Sequence, residues 1–330
     1  MLTNHHPQHK YYCVLFILII NFVCTGVCPA NSKELKPSGD PSIIPSGAEL
    51  KEVFGDGFFT EGPAVAPNGT VYFSDITFTS QSGMKAGHIW KYEPNLRKTS
   101  IFRSPSGMSN GIKFDAEGRL IVAEGADFGG RRVTRTDMTT GKSEIIAGLY
   151  EGRPFNSPND ITIDEKGRIY FSDPRYLGHE PLEQPVMGVY RIDPDGSIHR
   201  IITNAGKPNG VAVSPNQKTL YVVSNDNGAT GFDRLPNSVA IHKGRMALLA
   251  YDLAVDGTAA FRRVLVDYYP QDGPDGLVVD VEGNLYVAVR DANRPGINVY
   301  SPEGKELGHI PTKELPTNVA FSLGVKSKTL

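Results

Sequence analysis

The feature that most constrains this chain is a short motif that recurs six times. Its clearest copy, "PNDITIDEKGRIYFSD" at 158–173, has a polar pair, an alternating apolar run, a turn at Gly167 and a second apolar run. This pattern predicts two strands joined by a tight turn. The first polar residue of the pair is called the anchor, and the six anchors are Glu61, Asn110, Asn159, Asn209, Asp275 and Thr317. Successive anchors are separated by 49, 49, 50, 66 and 42 residues.

Further strand-like runs follow each of the better-defined copies. After the third copy these runs are "GVYRIDPDG" at 188–196 and "IHRIIT" at 198–203. Four short strands in every ~40–50 residues are typical of one blade of a β-propeller. The sequence has no helical periodicity of useful length between the copies. We therefore predict an all-β fold, a six-bladed β-propeller with four-stranded antiparallel blades, over residues 47–330.

The two ends of the chain differ from the repeats. Residues 1–30 contain "CVLFILIINFVC" (13–24), an apolar run of signal-peptide length that is too short to span a bilayer. This predicts a signal peptide, a secreted or periplasmic location and no stable membrane insertion. The alternative is that the segment is retained as an N-terminal membrane anchor. Residues 31–46 are predicted to be a Pro/Ser-rich linker. The sixth copy stops early, so we expect a truncated last blade whose outermost strand is "GAELKEVFG" at 47–55.

Charge and cysteine content limit the possible partners. The chain has 34 Lys and Arg against 36 Asp and Glu, a formal charge of −2, and no basic run. This balance disfavours a nucleic-acid partner. The three cysteines, Cys13, Cys24 and Cys28, all lie in the predicted signal peptide. The predicted propeller therefore depends on packing rather than on disulfides, and nothing in the sequence specifies an oligomeric state.

The anchors all carry oxygen-bearing side chains. If each anchor begins the innermost strand of its blade, all six surround one mouth of the central channel. Two carboxylates, three amides and a hydroxyl fit a hard divalent cation, with Ca²⁺ the best match and Mg²⁺ or Mn²⁺ the alternatives. A simpler interpretation is that each anchor hydrogen-bonds its own turn. The shared register of six such side chains favours the metal.

The repeated motifs resemble those of the senescence-marker-protein/gluconolactonase (regucalcin-like) family of six-bladed propeller hydrolases. The segments that carry the resemblance are "EGPAVAPNGTVYFSD", "SNGIKFDAEGRL", "RPFNSPNDITIDEKGRIYFSDP", "PNGVAVSPNQKTLYV", "GPDGLVVDVEGNLYVAV" and "PTNVAF". The resemblance implies a divalent metal, usually calcium, held by Glu61, Asn209 and Asp275. It makes Asn159 a metal ligand or a substrate contact. It also implies that Asp275 accepts and donates the proton while a sugar lactone is hydrolysed to an aldonic acid.

Four further residues are candidates for contact with a small-molecule substrate. Asn110, Arg153, Asn156 and Tyr176 lie at an anchor or on predicted mouth loops, where they could bind sugar hydroxyls. For Arg153 the alternative is an ordinary solvated surface charge. The long segment 225–247 opens on the same mouth and is predicted to be a lid.

Elementary chemistry agrees with the lactonase expectation but leaves alternatives. A divalent metal would act as a Lewis acid on the lactone carbonyl, and a carboxylate beside it would activate water. The sequence does not separate Asp275 from Glu61 as that base. A phosphotriesterase-like hydrolase would keep the site and change the substrate, whereas a non-catalytic propeller would only bind a ligand on this face.

Overall fold

The structure is a computed structural model of the chain. It describes residues 35–78, 82–84, 86–229, 242–323 and 329–330. The predicted signal peptide and the centre of the predicted lid, 230–241, lie outside the described residues. Within the described ranges, none of the helical structure is long and apolar enough to cross a membrane.

The described residues form five four-stranded antiparallel sheets, each with its strands in chain order. The first sheet contains β2 (Thr60–Val65), β3 (Val71–Asp75), β4 (His88–Glu93) and β5 (Lys98–Arg103). The second contains β6 (Ser109–Phe114), β7 (Leu120–Glu124), β8 (Arg132–Thr136) and β9 (Ser143–Ala147). A small hairpin, β10 (Leu149–Tyr150) and β11 (Arg153–Pro154), follows.

The remaining three sheets repeat this order. The third contains β12 (Ile161–Ile163), β13 (Ile169–Asp173), β14 (Gly188–Ile192) and β15 (Ile198–Ile202). The fourth contains β16 (Pro208–Val213), β17 (Thr219–Asn225), β18 (Met246–Leu253) and β19 (Ala259–Asp267). The fifth contains β20 (Pro274–Val279), β21 (Leu285–Val289), β22 (Gly296–Tyr300) and β23 (Glu306–Pro311), with β1 (Ser38–Gly39) added at its outer edge.

The hydrophobic core lies in layers between neighbouring blades. The second strand of every sheet is buried along its whole length, because both of its faces are covered. One layer joins Tyr170 and Val189 of the third sheet to Val211 and Leu249 of the fourth. The innermost strands contact one another in chain order, β2 with β6, then β12, β16 and β20. These contacts produce the propeller-like arrangement.

The prediction of six blades, the last of them truncated, is wrong in number, since five sheets are present in the described part of the chain. The sixth anchor still lies between the fifth sheet and the first. The Thr317 hydroxyl donates to the Thr60 carbonyl at 2.7 Å, and the Thr317 carbonyl accepts from the Gly276 N–H at 2.7 Å. Pairing of this segment with a following strand is limited, in the described ranges, to the bond from Ser322 N to Thr329 O. One such bond does not make a sheet.

The prediction of an outermost strand at 47–55 is also wrong, because the structure has no strand there. The apolar side chains of this segment are used for packing instead of sheet formation. Ala48 and Leu50 pack on the core of the fifth sheet, and Val53 and Phe54 pack on the core of the first. The segment therefore crosses the gap between these two sheets, while β1 covers the outer edge of the fifth.

An aspartate at the end of the second strand holds the segment that leads into the innermost strand. In the first sheet, Asp75 accepts hydrogen bonds from the Phe58 N–H (3.0 Å), the Phe59 N–H (3.0 Å) and the Trp90 indole (3.1 Å). In the third sheet, Asp173 accepts from the N–H groups of Asn156 and Ser157 at 2.9 and 2.7 Å. Phe59 and Ser157 each lie two residues before an anchor. These carboxylates therefore fix where two innermost strands begin.

Replacing Asp75 with alanine tests this role in stability. The Asp75→Ala variant leaves three backbone N–H groups, those of Phe58, Phe59 and Thr77, and the indole N–H without their acceptor. We therefore expect the free energy of unfolding to fall by about 2–4 kcal/mol. The matched control is Asp195→Ala, which removes an exposed carboxylate that accepts the Ser197 N–H in a turn. Urea unfolding followed by tryptophan fluorescence measures both. Equal losses in the two variants would contradict the role given to Asp75.

Candidate functional site

The anchor residues lie side by side and are buried. The exposed fraction of each of the six is 8% or less. The residue after the anchor brings neighbouring segments into contact, since the Gly111 N–H donates to the Asn159 carbonyl at 2.8 Å. At Gly62, where φ is +52°, an added Cβ would lie 2.1 Å from the Asn110 carbonyl oxygen. The glycine in the E-G-P motif is thus required for the close approach of the first two blades.

Three buried carboxyl groups at this site, those of Glu61, Asp160 and Asp275, lie near enough for their charges to interact. Burial raises the pKa of Glu61 well above its ordinary value, and the nearby charges of Asp275 and Asp160 raise it further. Burial likewise raises the pKa of Asp275 to about 6, with Arg290 and a hydrogen bond from Asn209 opposing the shift. Burial also raises the pKa of Asp160. Three desolvated carboxyl groups that repel one another favour a positive charge among them.

Arg290 supplies one positive charge, and sequence reasoning missed it. It directly follows β21, and its Nη1 atom lies 3.4 Å from Asp275 Oδ2. Its guanidinium group also lies over the ring of Phe59, 5.5 Å from the ring centroid. Arg290 therefore reaches from the fifth blade to the first beside the acidic cluster. Asp160 was missed as well, although its place directly after Asn159 in the P-N-D motif could have suggested it.

Two of the predicted site residues are joined by a hydrogen bond. Asn209 Nδ2 donates to the Tyr176 hydroxyl at 3.2 Å, and that hydroxyl donates to the Asn225 carbonyl at 2.9 Å. Burial raises the pKa of Tyr176 well above its ordinary value, and the charge of Asp275 adds to the effect. Tyr176 therefore lies close to the acidic cluster, on the mouth loop that follows β13.

Asn156 and Arg153 make their described contacts elsewhere. The Asn156 side chain donates to the Val186 carbonyl at 3.3 Å and accepts from the Gln184 N–H at 3.3 Å. Arg153 is exposed on β11, and its guanidinium donates to the Glu183 carbonyl at 3.5 Å. Both side chains thus hold the mouth loop of the third blade. Their predicted contact with substrate stays a prediction.

The donor set at the anchors fits a hard divalent cation. No group of three or more His, Cys, Asp or Glu side chains is arranged to hold a metal within the residues that the structure describes. The anchors instead combine the carboxyl groups of Glu61 and Asp275 with amide oxygens. Asn110 Oδ1 is buried and has no hydrogen-bond partner in the described part of the chain. Amide oxygens together with two carboxyl groups that repel each other suit Ca²⁺ better than Zn²⁺.

Fold and site together define a class, the propellers that carry a polar, acidic site where their innermost strands begin. Within that class, the sequence profile of the SMP-30/Gluconolactonase/LRE-like region matches residues 59–330. The chain belongs to this family, and the resemblance seen in its repeated motifs is confirmed.

Relatives of this chain are named as lactone hydrolases. The gluconolactonase of Zymomonas mobilis is 30% identical over 319 residues, with 88% of this chain and 80% of that protein covered. Lactonase drp35 of Staphylococcus epidermidis is 30% identical over 230 residues, with 68% and 63% covered. The solved gluconolactonase structure from Xanthomonas campestris has a TM-score of 0.66 and 28% identity, and covers 82% of each chain. The chain is accordingly a lactonase-like hydrolase.

A more distant structure supports the fold alone. Regucalcin from Agrobacterium tumefaciens, described as a calcium-binding protein, has a TM-score of 0.59 and 18% identity. It covers 80% of this chain, and this chain covers 78% of it. The propeller-like arrangement of four-stranded blades is therefore shared well beyond the gluconolactonases.

Glu61→Gln tests the repulsion within the acidic cluster. Without metal, the variant replaces a desolvated carboxyl group by a neutral amide, so we expect its free energy of unfolding to rise by about 1–3 kcal/mol. Thermal unfolding at pH 7.5 in EDTA measures the change. The control is Glu165→Gln, at an exposed turn residue, whose stability should equal that of the wild type. With Ca²⁺ added, the wild-type protein should gain more stability than Glu61→Gln. A variant that is less stable than wild type in EDTA would contradict the repulsion.

Proposed function

We propose that this chain is a calcium-dependent lactonase that opens a sugar lactone to its aldonic acid. The observation that carries the proposal is the meeting of two desolvated carboxyl groups, Glu61 and Asp275, with the amide of Asn209 at the start of the innermost strands. The family and the lactonases named among its relatives support the reaction class.

The proposed metal ligands are Glu61, Asn159, Asn209 and Asp275. They supply the carboxylate and amide oxygens that Ca²⁺ prefers. When bound, the cation supplies Lewis-acid polarisation of the substrate carbonyl. Asn110, with its buried amide oxygen, is the proposed contact for a substrate hydroxyl, since a hydroxyl can donate to an oxygen that lacks a donor.

Asp275 is the proposed general base. Its carboxylate lies 3.4 Å from Arg290 Nη1, and Arg290 and the Asn209 amide both lower its pKa, so both neighbours favour its charged form. It would take a proton from the water that attacks the lactone carbonyl carbon. The same proton would then pass to the ring oxygen as the carbon–oxygen bond breaks, which yields the hydroxy acid. Arg290 is placed beside this carboxylate, where it could stabilise negative charge on the carbonyl oxygen.

Hydrolysis of glucono-1,5-lactone tests the proposal. With Ca²⁺, the purified chain should release acid above the spontaneous rate, and EDTA should remove the excess. Asp275→Asn should lower kcat by about 10²–10⁴, the usual contribution of a general base. The matched control is Asp272→Asn, an exposed aspartate three residues earlier that pairs with Lys243. A pH-stat titration measures all four rates.

Each alternative function gives a different result in that assay. Ca²⁺ binding with no acid release, together with hydrolysis of a phosphotriester, would indicate a phosphotriesterase-like enzyme. Ca²⁺ binding with neither reaction would indicate a propeller that only binds its ligand. Full activity in EDTA, or in Asp275→Asn, would contradict the proposed mechanism.

A further inference from the structure

We propose that Tyr176 is a positioning residue that turns the side-chain amide of Asn209 so that its carbonyl oxygen, and not its amino group, faces the metal site. The inference rests on the proposed function, since Asn209 is one of the proposed ligands. It adds a role that acts through another residue to the predicted substrate contact of Tyr176, which stays a prediction.

The hydrogen bonds around Asn209 define the orientation of its amide. One Nδ2 hydrogen goes to the Tyr176 hydroxyl at 3.2 Å, and the Asp275 carboxylate lies close enough for the Asn209 amide to lower its pKa. The amino group of the amide therefore faces two acceptors. The remaining polar atom, Oδ1, is left to point toward neither of these partners.

In this arrangement the Tyr176 hydroxyl can only accept a hydrogen bond from Asn209, because its own hydrogen is already donated to another group. The hydroxyl donates to the Asn225 carbonyl at 2.9 Å. If the Asn209 amide turned over, Oδ1 would face the phenol oxygen and the Asp275 carboxylate, both of which are acceptors. The bond from Nδ2 to the phenol would be lost, and the phenol could donate to Oδ1 only by giving up its bond to Asn225. The phenol therefore selects one of the two amide orientations.

Tyr176 is itself held in place by Lys207. The Lys207 ammonium lies 4.7 Å from the centroid of the Tyr176 ring, in the geometry of a cation–π contact. The same ammonium donates to Asn227 Oδ1 at 3.0 Å and to the Ala229 carbonyl, and lies 3.7 Å from Asp226 Oδ1. Lys207 is 2% exposed and lies two residues before Asn209. One buried lysine thus clamps the mouth loop of the fourth blade against the tyrosine of the third.

The orientation matters because only one end of an amide can bind a cation. A calcium ion takes carbonyl and carboxylate oxygens, whereas the amino end of the amide presents hydrogens. Residues that orient a metal ligand typically change metal affinity 10–100-fold when they are removed. Tyr176→Phe keeps the ring and its contact with Lys207 but removes the acceptor, so it isolates the effect of the hydroxyl.

Calcium titration calorimetry on the full chain tests the inference. Tyr176→Phe should weaken Ca²⁺ binding 10–100-fold. The matched control is Tyr251→Phe, a buried tyrosine of β18 whose hydroxyl donates to Asn204 Oδ1 at 3.0 Å, and it should leave the affinity unchanged. In an Asn209→Asp background, Tyr176→Phe should cost less than about 3-fold, because a carboxylate presents an oxygen in either orientation. A residue that served only to stabilise the loop would lower the affinity equally in both backgrounds.

The outcomes separate this inference from the proposed function. If wild type binds no Ca²⁺, the calcium dependence in the proposed function fails first. If wild type binds Ca²⁺ and Tyr176→Phe binds it equally well, the proposed function stands and the positioning role is overturned. Equal losses in Tyr176→Phe and Tyr251→Phe, or an unchanged loss in the Asn209→Asp background, would also overturn it.

Discussion

The close approach of neighbouring innermost strands around the channel is the constraint on which the rest of the structure depends. A Cβ on Gly62 would lie 2.1 Å from the Asn110 carbonyl oxygen, and one on Gly210 would lie 2.6 Å from the Asp275 carbonyl oxygen. The backbones of adjacent blades are therefore almost in contact where the anchor residues lie. An anchor side chain has little space except toward the centre, and this explains why polar groups from distant parts of the chain meet there.

This crowding links stability to chemistry. The interior must desolvate Glu61, Asp160 and Asp275 in order to close the ring, and desolvated carboxyl groups in proximity are unfavourable without a positive charge. The positive charge of Arg290 offsets part of this unfavourable energy at Asp275. A divalent cation would offset more of the repulsion, and we propose that the same cation polarises the substrate. The feature that costs stability is thus the one that is proposed to carry the reaction.

The sequence predicts the parts of the fold that follow from periodicity. The third copy of the motif, for instance, predicted the strands that the structure shows as β12 and β13, with Gly167 in the turn. It overestimated the number of blades, because the sixth copy of the motif forms no sheet in the described part of the chain. The apolar alternation at 47–55, expected to complete that blade, packs between two sheets instead. The sequence placed Tyr176 at the mouth but did not predict its hydrogen bonds with Asn209 and Asn225, since these depend on which atom donates to which. Arg290 escaped notice because no repeat marks the residue after the second strand of a blade.

The most direct test of the account is a crystal structure of the chain with Ca²⁺, with the ion located from its anomalous scattering at long wavelength. The account predicts one peak at the anchors, within about 2.3–2.6 Å of oxygen atoms of Glu61, Asn209 and Asp275. Asn209 should present its carbonyl oxygen to that peak. The absence of a peak at saturating Ca²⁺, or a peak bound away from these three residues, would contradict the central claim that the ring of innermost strands builds the metal site of a lactonase.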